Sequence, residues 1–179
     1  MNNTKILNTV PTGETFKIAD MEFIKISDEN GITAAVCKDI VFNSNFGINN
    51  NLATSEILER LTAEILPKIE AAVGAENVLE FETDLLSLDG SGKHGILKSK
   101  ISIPTFDFYR RNRATFQKYK LDEWWWLATP DSTSEYNNDS WCVCVAPSGL
   151  IDNDYYYYDD YGVRPFFNFV SSISVSFDE

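Results

Sequence analysis

Cysteine, histidine and basic residues are scarce in this 179-residue chain, and each shortage excludes a class of chemistry. Three cysteines, Cys37, Cys142 and Cys144, make no disulfide framework. The Cys142-Val143-Cys144 spacing is too short for a zinc knuckle or a redox pair, and a disulfide along one strand face would be strained; these read as buried free thiols. The single histidine, His94, lies in a Gly-rich turn with no evident fixed neighbour to make it a base or a ligand. No Ser-His-Asp set, histidine cluster or nucleophile elbow is present, so the chain reads as a non-enzyme with no cofactor and no metal. Fifteen Lys and Arg stand against 27 Asp and Glu, for a net charge of −12. That balance argues against nucleic acid and anionic membranes as partners. Arg110, Arg111 and Arg113 form the one basic cluster, which reads as a solvated helix face. Long apolar runs are also missing: Met1 to Val10 is polar, and nothing approaches the roughly 20 residues of a membrane helix. The expectation is a chain made in a reducing cytoplasm without a signal peptide or membrane insertion.

What is present is a globular composition, 44% apolar and 13% aromatic, in a length that suits one domain over residues 1–179. Phe16 to Ile18 and Met21 to Ile26 alternate as strands, and Asn30-Gly31 predicts a hairpin into Ile32 to Val36. Asn43 to Leu52 reads as a loop. Thr54 or Ser55 caps a helix carrying Ile57, Leu58, Leu61 and Ile65, which Pro67 interrupts or ends before a last turn to Val73 and Gly74. Two short strands are expected over 77–88, then a flexible turn, Asp89 to Gly95, whose glycines lack Walker spacing. Ile101 to Ile103 reads as a strand. Pro104-Thr105 introduces a helix over Phe106 to Tyr119, with Phe106, Tyr109, Phe116 and Tyr119 on a core face.

The last third differs from all of this. It begins with Trp124, Trp125, Trp126 and Leu127 and closes with Gly162, Val163, Arg164, Pro165, Phe166 and Phe167. Between these apolar ends, over 131–161, lie six of the eight tyrosines: Tyr136, Tyr155, Tyr156, Tyr157, Tyr158 and Tyr161. They are interleaved with Asn137, Asn138, Asp139, Trp141, Asp152, Asp154 and Asp160. Four consecutive tyrosines cannot all face a core, because alternate strand residues point to opposite faces and a buried hydroxyl needs a partner. Exposed Tyr with Asp, Asn and Ser is the composition of a binding surface. The alternatives are a polar loop or a hairpin with cross-strand tyrosine pairs, and, less favoured, a calcium loop or paired catalytic carboxylates. The binding reading expects Tyr136, Trp141, Asp154, Tyr156 and Tyr158 to face solvent on one contiguous surface. Trp125, Leu127, Val163 and Phe166 are expected to be buried.

Glu123-Trp124-Trp125-Trp126-Leu127-Ala128-Thr129-Pro130, Gly149 in the polar stretch and the closing Gly162-Val163-Arg164-Pro165 resemble the pattern WWLRSP, DG, GVRP. That pattern belongs to a bacterial and phage domain family of undefined function, DUF6273, related to the C-type lectin fold. Here Ala128-Thr129 replaces the usual Arg-Ser, and a further strand, Ile173 to Phe177, follows the closing motif. The resemblance implies an α+β C-type lectin-like fold of the formylglycine-generating-enzyme subtype, with antiparallel sheets and two main helices. Trp124, Trp125 and Trp126 would be anchors, with Gly149, Gly162 and Pro165 structural. Arg164 would be held by carbonyls or a carboxylate at the base of the site. Related proteins include variable proteins of diversity-generating retroelements, in which adenine positions near the 3' end of a gene are rewritten. The implied function is ligand binding through the variable surface, to a protein or glycan on a bacterial surface, from a phage tail or a bacterial surface. A homo-oligomer is compatible with this. A structural or assembly role in the virion is the alternative, and the formylglycine-generating type of enzyme a third reading, since its catalytic cysteines have no counterpart in motif here.

Overall fold

The structure, a computed structural model, describes residues 3–158 and 161–177. The chain opens with β1 (Asn3–Ile6), β2 (Thr15–Ile18), β3 (Met21–Glu29), β4 (Ile32–Cys37) and β5 (Phe42–Asn43). The β3–β4 hairpin turns on Asn30 and Gly31 with φ of 54° and 79°, the two left-handed residues that a tight type I′ turn requires. A helical segment follows: α1 (Glu56–Arg60), a π-type turn at Leu61–Ile65, and α2 (Leu66–Val73). Ser55 caps it, its hydroxyl accepting from the Leu58 amide at 3.0 Å. Pro67 does not end the helix. The widened turn before it absorbs the hydrogen bond that proline cannot make, and the segment runs on to Gly74.

Next come β6 (Val78–Leu79), β7 (Phe81–Asp84) and β8 (Ile96–Ser99). The helix expected over Phe106 to Tyr119 is two, α3 (Phe106–Arg111) and α4 (Arg113–Lys118), broken at Asn112. There the Asn112 amide donates back to the Phe108 carbonyl at 2.9 Å and competes with the backbone. Ile101 to Ile103 contributes only a bridge between Ser102 and Phe166, not a strand. The last third supplies β9 (Trp125–Pro130), β10 (Trp141–Val145), β11 (Ile151–Tyr155), β12 (Gly162–Val163), β13 (Phe166–Val170) and β14 (Ser174–Phe177).

Among the described residues these strands form a seven-stranded sheet in the order β1-β14-β2-β3-β4-β13-β6, a five-stranded sheet β11-β10-β9-β12-β5, and the pair β7-β8. Pairing is antiparallel except where β12 meets β9. The polar opening residues form β1 because Asn3–Ile6 pairs with Ser174–Phe177, a partner far away in sequence. The result is a mixed α+β architecture of mostly antiparallel, bulged sheets. No described helix is long and apolar enough to cross a membrane.

Two cores flank these sheets, and strand alternation divides residues between them. Phe23, Ala35, Trp126, Ala128, Cys142 and Cys144 join Ile57, Leu61, Ile65 and Ile69 of the long helical segment in the first. Ile24, Val36, Trp125, Leu127, Val143 and Val145 join Tyr109 and Phe116 of α3 and α4 in the second. The tryptophan run is therefore split. Trp125 stacks on Phe116 with centroids 5.6 Å apart, while Trp126 points the other way and donates its indole N–H to the Ser44 carbonyl at 2.8 Å. Trp124 is only half-buried, contrary to the expectation that all three are buried anchors, because it lies before β9 and stacks on Tyr161 at the rim. Phe166 is likewise half-buried; it packs edge-on between Phe81 and Phe108 in a surface cleft. Leu127 and Val163 are fully buried as expected.

Arg164, 1% exposed, locks β12–β13 to the end of β4. It donates to the Cys37 carbonyl at 3.1 Å and the Lys38 carbonyl at 2.9 Å. Its guanidinium lies 4.9 Å from the Trp125 ring and 5.3 Å from Phe116. Carbonyls and aromatic faces hold it, with no carboxylate bond among the described residues. Burial lowers its pKa to about 10, so it stays charged near neutrality. Pro165 is buried beside it, accepting from the Cys37 amide.

Truncating Trp125 removes a ring that packs on Tyr109, Phe116 and Arg164. Trp125→Ala is expected to cost about 3–5 kcal/mol through the cavity it leaves, read as a lower midpoint of urea denaturation with an unchanged slope. Loss of less than about 1 kcal/mol would show that the second core does not depend on this ring.

Candidate functional site

Three loops meet at one end of the five-stranded sheet, and one buried amide joins them. Asn50 is fully buried. Its side-chain N–H2 donates to the carbonyls of Ser132 and Trp141, both at 2.9 Å, and its backbone N–H donates to the Asp139 carbonyl at 3.0 Å. The stretch from Ser132 to Trp141 is thereby held at both ends. Because both amide protons are spent, the Asn50 carbonyl oxygen can only accept, and His94 Nε2 faces it at 3.0 Å. His94 is therefore the donor there. Sequence reasoning gave this histidine no fixed neighbour; it has one in Asn50.

The Gly-rich turn is also docked, not loose. Ser91 Oγ bonds Thr133 Oγ1 and Glu135 Oε2, both at 2.7 Å, and Lys93 Nζ bonds Ser134 Oγ at 2.7 Å. Thr133 caps the short turn Ser134–Tyr136, and Asn137 closes it in the left-handed region with φ 62°. Tyr136 and Asn137 are exposed; Asn138 and Asp139 are partly buried.

From the rim of this loop an aromatic ribbon runs around the end of β11. Trp141 meets Tyr155 at 4.1 Å between centroids, Tyr155 stacks on Tyr157 at 5.2 Å, and Tyr157 contacts Tyr158 at 5.3 Å. Tyr158 stacks on Tyr161, which packs on Trp124 and Trp126. Tyr161 thus ties the surface rings to the first core, and its hydroxyl donates to Asp154 Oδ2 at 2.6 Å. Partial desolvation, then the neighbouring phenols and Asp154, hold the Tyr157 hydroxyl above its ordinary pKa, so it remains protonated and a donor.

The expected contiguous face is realised in part. Tyr157 and Tyr158 are 55% and 44% exposed. Trp141, Asp154 and Tyr155 are partly buried, and Asp152 is exposed. Tyr156 departs from the expectation: it turns inward against the first core, with its backbone bridging Ser140 and Phe46. Tyr155, the last residue of β11, pairs with Trp141 on one face, and Tyr156, next in the chain, turns to the opposite one. Tyr136, 56% exposed, makes no ring contact with the ribbon. Asp160 lies outside the described residues. Gly149, at φ 81° in the β10–β11 turn, is buried and accepts the Tyr109 hydroxyl at 2.8 Å. A Cβ at Gly162 would lie 2.2 Å from the Ile40 side chain, which would have to move to admit it.

Asn50 and Tyr161 escape sequence reasoning for a plain reason. An asparagine in an Asn-rich loop and one more tyrosine in a tyrosine stretch carry no local sign of burial.

Other arrangements are less equipped for chemistry. Cys142 and Cys144 are fully buried, and burial pushes both thiols well above their ordinary pKa. Among the described residues no group of three or more His, Cys, Asp or Glu is placed to hold a metal ion. Two adjoining clefts of about 290 and 410 Å3 lie between β7 and α3, lined by Asp84, Thr105 and Asp107 in common, and no residue of the ribbon reaches them.

Burial lowers the His94 pKa below 6.5, partly opposed by Asp139. Its stabilising contribution is complete above the unfolded value and is lost as pH falls through that value toward the folded one. Between about pH 7.5 and about pH 5.5 the parent is expected to lose more thermal stability than His94→Gln, which keeps a donor but does not titrate; parallel curves would remove His94 from the balance. Asn50→Ala leaves the buried Ser132 carbonyl without its donor, at about 1–3 kcal/mol, and removes the acceptor of His94, while the Trp141 carbonyl keeps the Asp131 amide at 3.2 Å. The substitution is expected to lower Tm steeply, whereas Tyr157→Ser should shift it by less than about 2 °C. Equal losses would make the ribbon part of the core.

No curated protein and no solved structure matches the chain. The model of DUF6273, a domain of unknown function, matches residues 55–171, from the cap of α1 to the end of β13, about two thirds of the chain. The strands β1 to β4 precede the matched region, although β13 pairs directly with β4. With its double-sided β9, its buried arginine after β12 and its rim of tyrosines between them, this chain belongs to the DUF6273 family.

Proposed function

We propose that the protein binds a ligand through the Tyr/Asp/Asn surface over 131–161, displayed on a scaffold of the C-type lectin type, and that it serves receptor recognition in a phage or bacterium. The observation that carries this reading is the continuous ribbon Trp141, Tyr155, Tyr157, Tyr158 on a backbone fixed by the buried Asn50. Only Trp141 and Tyr155 form a cross-strand pair. Tyr157 and Tyr158 lie beyond the end of β11, where no strand remains for them to stabilise. Sheet pairing therefore does not account for them, and exposed rigid rings are what a recognition surface needs.

The partner on this reading is a protein or glycan on a bacterial surface, met from a virion tail or another cell surface. Rewriting of the gene by a retroelement accounts for the composition, and a neighbouring reverse transcriptase gene with a repeat of the 3' end would establish it. The deep burial of Cys142 and Cys144 weighs against a formylglycine-generating type of enzyme, which needs an accessible thiolate.

Binding should rest on a few aromatic anchors. In a panel of glycans and bacterial surface proteins, Tyr157→Ala and Trp141→Ala are expected to weaken capture by about tenfold or more, and a calcium chelator to change little. Capture that is indifferent to both substitutions but abolished by the chelator would replace this reading with a metal-dependent lectin.

A further inference from the structure

The acidity of the chain is concentrated where the ribbon lies. Between Leu121 and Val163 the sequence has nine carboxylates and no lysine, arginine or histidine, against −12 for the whole chain. In the neighbouring Gly-rich turn, Lys93 is tied to Ser134 Oγ at 2.7 Å. A second copy of this chain would bring the same charge to the same face, so self-association there is opposed by repulsion.

The open edge of β11 narrows the choice further. Tyr156 and Leu150 bond inward to Ser140 and Ala146, so alternation turns the backbone groups of Ile151, Asn153 and Tyr155 outward. The outward N–H of Asn153 donates to Asp152 Oδ1 at 2.9 Å, and that of Tyr155 to Asp154 Oδ1 at 2.8 Å. Each donor is thus consumed by the carboxylate of the residue before it. The Ile151 and Asn153 carbonyls remain, with no hydrogen bond from a described residue. An added β-strand needs donors and acceptors in alternation, and along this edge two of the three outward donors are already taken by the chain's own carboxylates, leaving only the Ile151 N–H. What it does offer is carbonyl oxygens, carboxylates and the exposed parts of Tyr157 and Tyr158.

We propose, resting on the recognition reading above, that this edge takes a cationic protein segment, its arginine or lysine side chains reaching the tyrosine ribbon on one face of β11 and Asp152 on the other. Guanidinium groups suit both features, since they stack on rings and donate several hydrogen bonds in one plane. Neutral glycans donate hydroxyl hydrogen bonds to such carbonyls but leave the excess negative charge uncompensated, and acidic glycans add to it.

The test uses the full chain and an acetylated, amidated Gly-Arg repeat peptide, with its citrulline counterpart as a neutral isostere, at about 0.15 M salt. The arginine peptide is expected to bind about tenfold tighter or better, followed by tyrosine and tryptophan fluorescence. Tyr157→Ser and Asp152→Asn should each weaken it by about fivefold, the latter keeping the cap on Asn153 while removing charge. Glu59→Gln with Glu80→Gln, which removes two exposed charges elsewhere, should change it by less than about twofold. Equal binding of the citrulline peptide, or an equal loss in the Glu59/Glu80 variant, would overturn the assignment by reducing it to bulk charge. If the peptides fail while Tyr157→Ala still abolishes capture of a glycan or surface protein, the cationic partner falls and the recognition surface stands. If Tyr157→Ala affects neither, both fall.

Discussion

A strand whose six residues are all buried must lie between two cores, and β9 imposes that condition on everything around it. Its tryptophans are too large to share one face, so Trp125 and Trp126 go to opposite sides, and each demands its own cover. The long α1–α2 segment covers one face, and α3 with α4 covers the other. Each indole buried this way contributes about 2–3 kcal/mol. Arg164 fits the same constraint. A charge placed against Trp125 and Phe116 is tolerable because two carbonyls take its protons and two rings take its faces.

The site inherits its order from this frame through few contacts. Trp126 reaches the ribbon by way of Tyr161, and Asn50 reaches the 132–141 loop through its amide. Both tethers act on backbone or on rings at the base, and leave Asn137 and the outer parts of Tyr157 and Tyr158 exposed.

The apolar periodicities, the Asn30-Gly31 turn, the Ser55 cap and the rigid ends of the last third were legible because each is written in neighbouring residues. What was not legible depends on partners distant in the chain. Asn3–Ile6 is polar and becomes a strand only because Ser174–Phe177 lies beside it. Pro67 reads as a helix breaker until a π turn accommodates it, and no local signal announces that turn. Asn112 breaks a helix whose aromatic stripe looks continuous. At the site, the composition pointed to exposed tyrosines, but the inward turn of Tyr156 depends on register, which four identical residues cannot reveal. His94 seemed isolated because its partner, Asn50, sits in an undistinguished Asn-rich loop.

The pairing of β1 with β14 has a kinetic side. In the seven-stranded sheet, β14 lies between β1 and β2, so two strands from the start of the chain are separated by one from its end. That sheet cannot close until almost the whole sequence is available. Until then β1 and one edge of β2 stand open while the chain is being made, and the closing step joins residues more than 150 positions apart. Topologies dominated by such distant pairings pay loop-closure entropy before any contact rewards it, and they fold slowly. The β3–β4 hairpin and the capped helix, both local, are the elements able to form first.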